Sequence, residues 1–169
     1  RIPLKIDIST GDVITPCEIS FSYQLMFENR TIPLLAYPPE TVLAEKLETI
    51  LSRGEANTRL RDFYDVYILQ REDFVVTPDA LCHALLATCR KRGHEDLLHT
   101  YASILDRVRQ SDTMRTQWMK YQSDFDYAAG ITWDTVLDTV ETLCMKTLDD
   151  HAFGDELPQE ESQFEMHLL

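Results

Sequence analysis

The chain has 169 residues, 44% of them hydrophobic and 9% aromatic, so it can bury a core and a disordered chain is excluded. Its 29 acidic and 16 basic side chains give a net charge of −13, which argues against a nonspecific binder of nucleic acid or anionic membranes. The charge is uneven, because residues 149–169 hold seven acids and no Lys or Arg, which leaves −6 for the rest. We expect a disordered acidic tail over residues 149–169.

The cysteines and the hydropathy pattern indicate a cellular compartment. Four cysteines show no CxxC spacing, and no apolar run reaches the roughly 20 residues of a membrane helix. We therefore expect a reduced, cytoplasmic protein that does not enter a membrane. The chain opens on Arg1 instead of Met, without the apolar region of a signal peptide, so we also expect a piece of a longer protein.

The N-terminal part of the chain has the pattern of a small sheet. Residues 4–8 and 18–23 alternate apolar and polar side chains with a period of two, and a turn cluster separates them. A third strand is predicted over residues 31–37. Pro33 would place it at an edge or keep it short, because proline cannot donate a ladder hydrogen bond.

Beyond residue 37 the hydrophobic period becomes that of helices. Thr77, Ser111 and Thr132 each stand where they could cap a helix. The order of strands first and helices after predicts an α+β fold. The predicted helices cover approximately residues 39–53, 60–70, 78–92, 97–109, 112–125 and 133–148.

Asp7 is the first of three places where a charge suggests chemistry. It lies between Ile6 and Ile8 in the first predicted strand, so its side chain points to the opposite face, and a glycine-containing turn follows. A carboxylate in this position suits Mg²⁺, which prefers hard oxygen ligands. The alternative is a solvated aspartate on the open face of the sheet, and the sequence leaves both open.

Lys46 is the second place. At 100° per residue it falls about 60° from Leu43 and about 40° from Ile50, inside the apolar arc of its helix. A lysine there either extends past the apolar surface into water or provides a fixed positive charge in a cleft, for example against phosphate oxygens.

The third place is the start of the helix predicted from residue 60. Asp62 and Asp65 share one side of it, and Arg61 stands four residues before Asp65, within reach of an ion pair. These acids either decorate a helix start, where the dipole favours them, or orient Lys46 across the helix pair. Spacing does not choose between the two interpretations.

Four segments form an ordered set of motifs: residues 5–12 (KIDISTGD), 36–47 (AYPPETVLAEKL), 51–54 (LSRG) and 61–67 (RDFYDVY). Together they resemble the AbiEii/AbiGii family of nucleotidyltransferase-like toxins, whose motifs read KxDIsxGD and AEKL…R…RDxYDL. The resemblance implies an α+β fold, with a partial polymerase-beta-like nucleotidyltransferase sheet of about three strands followed by a helical bundle. Residues 1–72 would be the C-terminal part of that core and residues 73–148 a helical domain.

The resemblance also implies an activity and roles for single residues. In such enzymes carboxylates hold Mg²⁺, the metal positions a nucleoside triphosphate, and an acceptor hydroxyl attacks the α-phosphate as pyrophosphate leaves. Asp7 looks like a strand carboxylate beside the metal, and Lys46 like the motif lysine near the triphosphate. Asp62 or Asp65 looks like its acidic partner, with helical geometry favouring Asp65. Nucleotide contacts are expected from Lys46, Arg53 and Arg61.

One part of the family pattern does not occur in this sequence. The Gly-Ser…Asp-x-Asp motif, which supplies the principal metal ligands, should precede Lys5, and the sequence contains no Gly-Ser dipeptide. Because these ligands are missing, we expect this chain alone to be catalytically inactive.

For the intact protein, the resemblance implies a toxin of a toxin–antitoxin or abortive-infection system, with an RNA such as tRNA as acceptor and a cognate antitoxin as partner. The alternative is an inactive fragment that acts as a protein-interaction module, with homodimerisation through an exposed sheet edge.

Overall fold

The structure, a computed structural model, describes residues 10–71 and 76–149. Within these residues a two-stranded antiparallel sheet precedes a set of α-helices, which confirms the predicted α+β order. The first predicted strand, with Asp7, and all of the predicted tail except Asp149 lie outside the described residues. Asp149 accepts a 2.6 Å hydrogen bond from the Tyr101 hydroxyl.

The two strands form a hairpin, with β1 at Ile19–Gln24 and β2 at Thr31–Ala36. They match the predicted strands to within about a residue. In their register Phe21 lies opposite Leu34, and the turn is closed by a 3.0 Å backbone bond from Leu25 to Arg30. The apolar side chains Phe21 and Leu34 remain exposed, so the described hairpin contributes little to the core.

The helices begin and end within about two residues of the predicted bounds. The three predicted caps are confirmed, since the hydroxyls of Thr77, Ser111 and Thr132 each accept a bond from the backbone N–H three residues on, at 3.1–3.3 Å. Gly93 ends the third helix with a φ of 70°, a conformation that glycine adopts at little cost. The helices are α1 Pro39–Arg53, α2 Leu60–Arg71, α3 Pro78–Arg92, α4 Leu97–Gln110, α5 Asp112–Asp124 and α6 Trp133–Leu148.

All six of these helices contribute to one hydrophobic core. Helix α1 is buried on most of its surface because it packs against α2 on one side and α3 on another. Phe63 of α2 and Trp133 of α6 meet in the core with ring centroids 5.1 Å apart. The predicted domain boundary falls between α2 and α3, and it stays a prediction. Among the described residues, no helix combines the length and the apolar character needed to span a membrane.

Candidate functional site

Lys46 is held by two carboxylates of the neighbouring helix. Its position on α1 turns it toward α2, where Nζ lies 2.6 Å from Asp65 Oδ2 and 3.2 Å from Asp62 Oδ1. Only 19% of the lysine side chain is exposed. The sequence left open whether Lys46 extends into water or provides a fixed positive charge. In the structure it is a fixed positive charge, and both aspartates orient it.

The two aspartates differ in burial, and each also contacts an arginine. The side chain of Asp62 is 3% exposed and that of Asp65 23%. Arg59 donates a 3.3 Å hydrogen bond from Nη2 to Asp62 Oδ1, and its Nε lies 2.8 Å from Oδ2 as an ion-pair contact without hydrogen-bond geometry. Arg61 Nε lies 3.7 Å from Asp65 Oδ2, as its spacing predicts. Two carboxylates therefore face three cations.

A buried asparagine sets the start of α2. Asn57 is fully buried, and its Oδ1 accepts a 2.8 Å bond from the backbone N–H of Arg59. This turn fixes the direction of the chain just before Asp62, so it helps to aim the first turn of α2 at Lys46. This role was not predicted from the sequence, although an asparagine three residues before the start of a helix is a recognisable signal.

The ion-pair cluster opens on a cleft of about 740 Å³. One wall comes from α1 and the start of α2. The other comes from α5 and the 3₁₀ turn Asp126–Ala128 that follows it. The charged side chains that line it are Lys46, Arg59, Arg61 and Lys120 against Asp62, Asp65 and Asp124, four positive and three negative. The cleft thus carries a net charge of +1 in a chain whose net charge is −13.

The second wall is rich in aromatic rings. Tyr127 lies with its ring centroid 4.8 Å from that of Tyr64 and 5.4 Å from that of Phe125. Its hydroxyl is 2.9 Å from that of Tyr121. Burial, followed by this hydrogen bond, raises the pKa of Tyr121 above its usual range, so the phenol stays protonated at neutral pH. These aromatic residues were not predicted from the sequence to belong to the site.

Of the other predicted site residues, Arg53 does not join this cluster and Asp7, the predicted metal ligand, lies outside the described residues. Arg53 ends α1 and lines a separate depression of about 570 Å³ beside α4. It stands two turns beyond Lys46, roughly 10 Å along the helix axis. The structure therefore does not place Arg53 beside Lys46. Its role as a nucleotide ligand stays a prediction.

A second ion-pair cluster, which was not predicted from the sequence, surrounds Glu48 on another side of α1. Glu48 is only 2% exposed, and His94 Nδ1 lies 2.6 Å from its Oε1 while Arg92 Nη1 bonds its Oε2. Arg92 also approaches Glu45 at 3.7 Å. Burial and then Asp12 raise the pKa of Glu45. The run of basic residues at the end of α3, residues 90–92, was the sequence feature that could have indicated an acidic partner such as Glu48.

The described residues do not fit a metal site. No group of three or more His, Cys, Asp or Glu in residues 10–71 and 76–149 is placed to hold an ion. Asp62 and Asp65 are already neutralised by Lys46 and the neighbouring arginines, so their oxygens are poor candidates for Mg²⁺.

Comparison with known families decides the assignment. The sequence model described as "Nucleotidyl transferase AbiEii toxin, Type IV TA system" matches residues 1–139. The chain belongs to this family. The match extends the AbiEii resemblance, seen in the motifs of residues 1–70, through α5 and into α6. The cleft between α2 and α5 therefore lies wholly within the AbiEii region. No curated protein and no solved structure matches the chain.

Membership of the AbiEii family confirms the suspected relationship and its coarse function. The family is that of nucleotidyltransferase toxins of type IV toxin–antitoxin systems, a class of toxin that has an antitoxin counterpart.

Proposed function

We propose that the cleft beside Lys46 binds the phosphate groups of a nucleoside triphosphate for nucleotidyl transfer to an RNA acceptor such as tRNA. The observation that carries the proposal is a lysine held by two aspartates at the wall of a cleft with an excess of positive charge. A cation whose position is fixed before the ligand arrives loses little conformational entropy on binding.

The donors that remain in the cluster suit phosphate oxygens. The Lys46 ammonium carries three hydrogens, and its two aspartate contacts leave one for a ligand. Arg61 is 77% exposed and makes only a long contact with Asp65, so its guanidinium can take a phosphate in the bidentate geometry that arginine favours. Asp62 and Asp65 act as positioning residues, because they hold Lys46 and are themselves neutralised.

The reaction would be attack of an acceptor hydroxyl on the α-phosphate, with pyrophosphate as leaving group and the hydroxyl proton released. The role of the described residues is to bind and orient the triphosphate. Mg²⁺ would neutralise charge on the phosphates when bound. Because Asp62 and Asp65 do not fit a metal, the proposed ligand within this sequence remains Asp7.

A binding experiment tests the phosphate site directly. Titration calorimetry of the purified chain would measure the affinities for inorganic tripolyphosphate and for a nucleoside triphosphate. We expect Arg61→Ala to weaken both by about threefold to tenfold. Arg53→Ala is the comparison variant, because Arg53 is the other arginine expected from the sequence to contact nucleotide and it lies outside the cleft. Equal affinities for wild type and Arg61→Ala, or a larger loss for Arg53→Ala, would reject this site.

The inactivity expected of the chain alone has its own test. Two-metal chemistry without its principal ligands loses most of its transition-state stabilisation. The purified chain should therefore give no Mg²⁺-dependent transfer from a labelled nucleoside triphosphate to RNA. Detectable transfer would contradict this expectation without affecting the phosphate site.

A second candidate function, interaction with another protein, is favoured by the hairpin. Phe21 and Leu34 form a cross-strand apolar pair that stays about half exposed, and Leu35 on the other face is 75% exposed. We propose that a second copy of the chain covers this apolar surface, because an exposed strand pairs readily with the same strand of another copy. Leu34→Ser should then shift sedimentation from dimer toward monomer. A monomeric wild type would exclude self-association through the hairpin.

A further inference from the structure

The aromatic wall of the cleft has no task in phosphate binding. Phe125 and Tyr127 stack with their ring planes 29° apart, and they remain 41% and 51% exposed. Their neighbours Tyr64 and Tyr121 pack behind or beside them with centroids 4.8–6.4 Å apart. Large aromatic rings that line a cleft without entering the core offer flat surfaces on which another ring can stack.

Gln117 adds an unused polar group to the same wall. It stands one turn before Tyr121 on the same face of α5 and lines the cleft. Its Oε1 is buried and finds no hydrogen-bond partner among the described residues. A buried amide oxygen without a partner is costly, so a ligand N–H that reaches it gains more than an ordinary surface contact. The terminal amide torsion of glutamine is broad, so this group can adjust its orientation to a ligand.

The two walls differ in charge as well as in shape. Lys46, Arg59 and Arg61 exceed Asp62 and Asp65 by one positive charge on the wall formed by α1 and α2. On the wall formed by α5 the charged lining residues are Lys120 and Asp124, which cancel. A ligand with a polyanionic end and an uncharged, flat end matches this division. At about 740 Å³ the cleft has the size typical of sites for small molecules.

We propose that the aromatic wall binds the base of the nucleoside triphosphate. The base stacks on the exposed rings of Phe125 and Tyr127, and Gln117 Oε1 accepts a hydrogen bond from a base N–H. The proposal rests on the proposed function, because it takes the phosphates to be held at the opposite wall. It assigns Gln117 and Tyr127 as residues that determine affinity for the base, with no part in holding the phosphates.

The test separates the two ends of the ligand. Calorimetric titrations of the purified chain would compare four ligands: a nucleoside triphosphate, the matching nucleoside, inorganic tripolyphosphate and a trinucleotide RNA without a 5′ phosphate. The variants are Gln117→Leu and Tyr127→Leu. Their matched controls are Gln70→Leu on the exposed side of α2 and Tyr23→Leu on the hairpin, both outside the cleft. Tyr127→Phe keeps the ring and removes only the hydroxyl.

We expect Tyr127→Leu to weaken binding of the triphosphate and the nucleoside by about tenfold or more, and Gln117→Leu by about fivefold. Tripolyphosphate affinity should not change, and Tyr127→Phe should bind like wild type. Gln117→Leu removes an unpaired buried oxygen, so the chain should keep its melting temperature. Saturation-transfer NMR should place the base protons of the ligand closest to the protein.

Each remaining outcome counts against one proposal and not the other. Unchanged nucleotide affinity in both variants, or an equal loss for tripolyphosphate, overturns the base site. A trinucleotide that binds as tightly as the triphosphate, with the same sensitivity to Tyr127→Leu, overturns its assignment to the donor nucleotide. If wild type binds the nucleoside but not tripolyphosphate, the base site stands and the phosphate site is rejected.

Discussion

Lys46 and Glu48 stand two residues apart on α1 and connect it to two different helices. Lys46 contacts Asp62 and Asp65 of α2, whereas Glu48 contacts Arg92 at the end of α3 and His94 just beyond it. Two positions along a helix correspond to about 200° of rotation, so the two charges point in nearly opposite directions. Helix α1 is thus fixed on both sides by ion pairs as well as by its apolar contacts.

Removal of the Lys46 charge should destabilise the fold. Lys46→Met leaves the nearly buried Asp62 with Arg59 alone and Asp65 with a distant Arg61. We expect the free energy of unfolding to fall by about 2 kcal/mol, below the value for fully buried pairs because the lysine is partly exposed. Denaturant unfolding followed by circular dichroism measures it.

A double-mutant cycle provides the control for this pair. The losses in Lys46→Met and Asp62→Asn should not add, with a coupling of about 1 kcal/mol or more. Arg61→Ala, which breaks only an exposed 3.7 Å contact, should change stability by less than about 0.5 kcal/mol. Additive losses would mean that Lys46 and Asp62 do not interact in solution.

In the Glu48 cluster, removal of the negative charge should lower the free energy of unfolding less than removal of the positive charge of Arg92. Glu48→Gln leaves Arg92 with only Glu45, 3.7 Å away, and weakens the contact with His94, but both side chains are exposed enough to reach water, so we expect a loss of about 1 kcal/mol. Arg92→Ala leaves a buried carboxylate with only His94 and should cost about 2–3 kcal/mol.

Arg90→Ala is the matched control for Arg92→Ala, because its ion pair with Glu95 is exposed on both sides. Its effect on the free energy of unfolding should stay below about 0.5 kcal/mol. If Glu48→Gln proves more destabilising than Arg92→Ala, the carboxylate is not buried as the structure has it.

Buried thiols should make the protein unstable in alkali. Burial raises the pKa of both Cys89 and Cys144 from 9.0 to about 12. The unfolded chain loses these protons near pH 9 while the folded chain keeps them, so stability should fall as pH rises from 9 to 12, by about 1 kcal/mol per thiol for each pH unit. Unfolding midpoints in urea between pH 8 and 10.5 measure the slope.

Thiol reactivity checks the same feature independently. Cys17 is exposed, whereas Cys82, Cys89 and Cys144 are buried. One thiol should therefore react rapidly with an aromatic disulfide reagent in the native protein, and the other three only at the rate of unfolding. Cys144→Ala should reduce the alkaline slope by less than half, because burial also raises the pKa of Cys82 and this thiol adds to the slope. An unchanged slope would show that Cys144 is not responsible for it.

The turn before α2 should depend on the Asn57 side chain. Asn57→Ala removes the acceptor for the Arg59 backbone N–H, and we expect a loss of about 1 kcal/mol in the free energy of unfolding. Asn57→Ser keeps a short acceptor and should recover part of that loss. Thermal unfolding measures both, and equal melting temperatures for wild type and Asn57→Ala would exclude this role.

Much of the fold was predictable because its signals are local. The hydroxyls of Thr77, Ser111 and Thr132 cap helices through N–H groups three residues away, and proline and glycine mark the ends of α3. The Arg61 and Asp65 pair spans four residues of one helix, and the structure has it. Such contacts depend only on backbone geometry within one turn, which the sequence order determines.

The sequence by itself determined the order of the elements, the helix bounds and the AbiEii motif in which Lys46, Asp62 and Asp65 occur. Only the tertiary structure decided that Lys46 contacts both aspartates, 16 and 19 residues away, and that α5 brings Gln117 and its aromatic neighbours to face them. It likewise paired Glu48 with His94 and separated Arg53 from Lys46. These relationships depend on how whole helices pack against one another, and hydrophobic periodicity gives the buried face of a helix but not the neighbour that covers it.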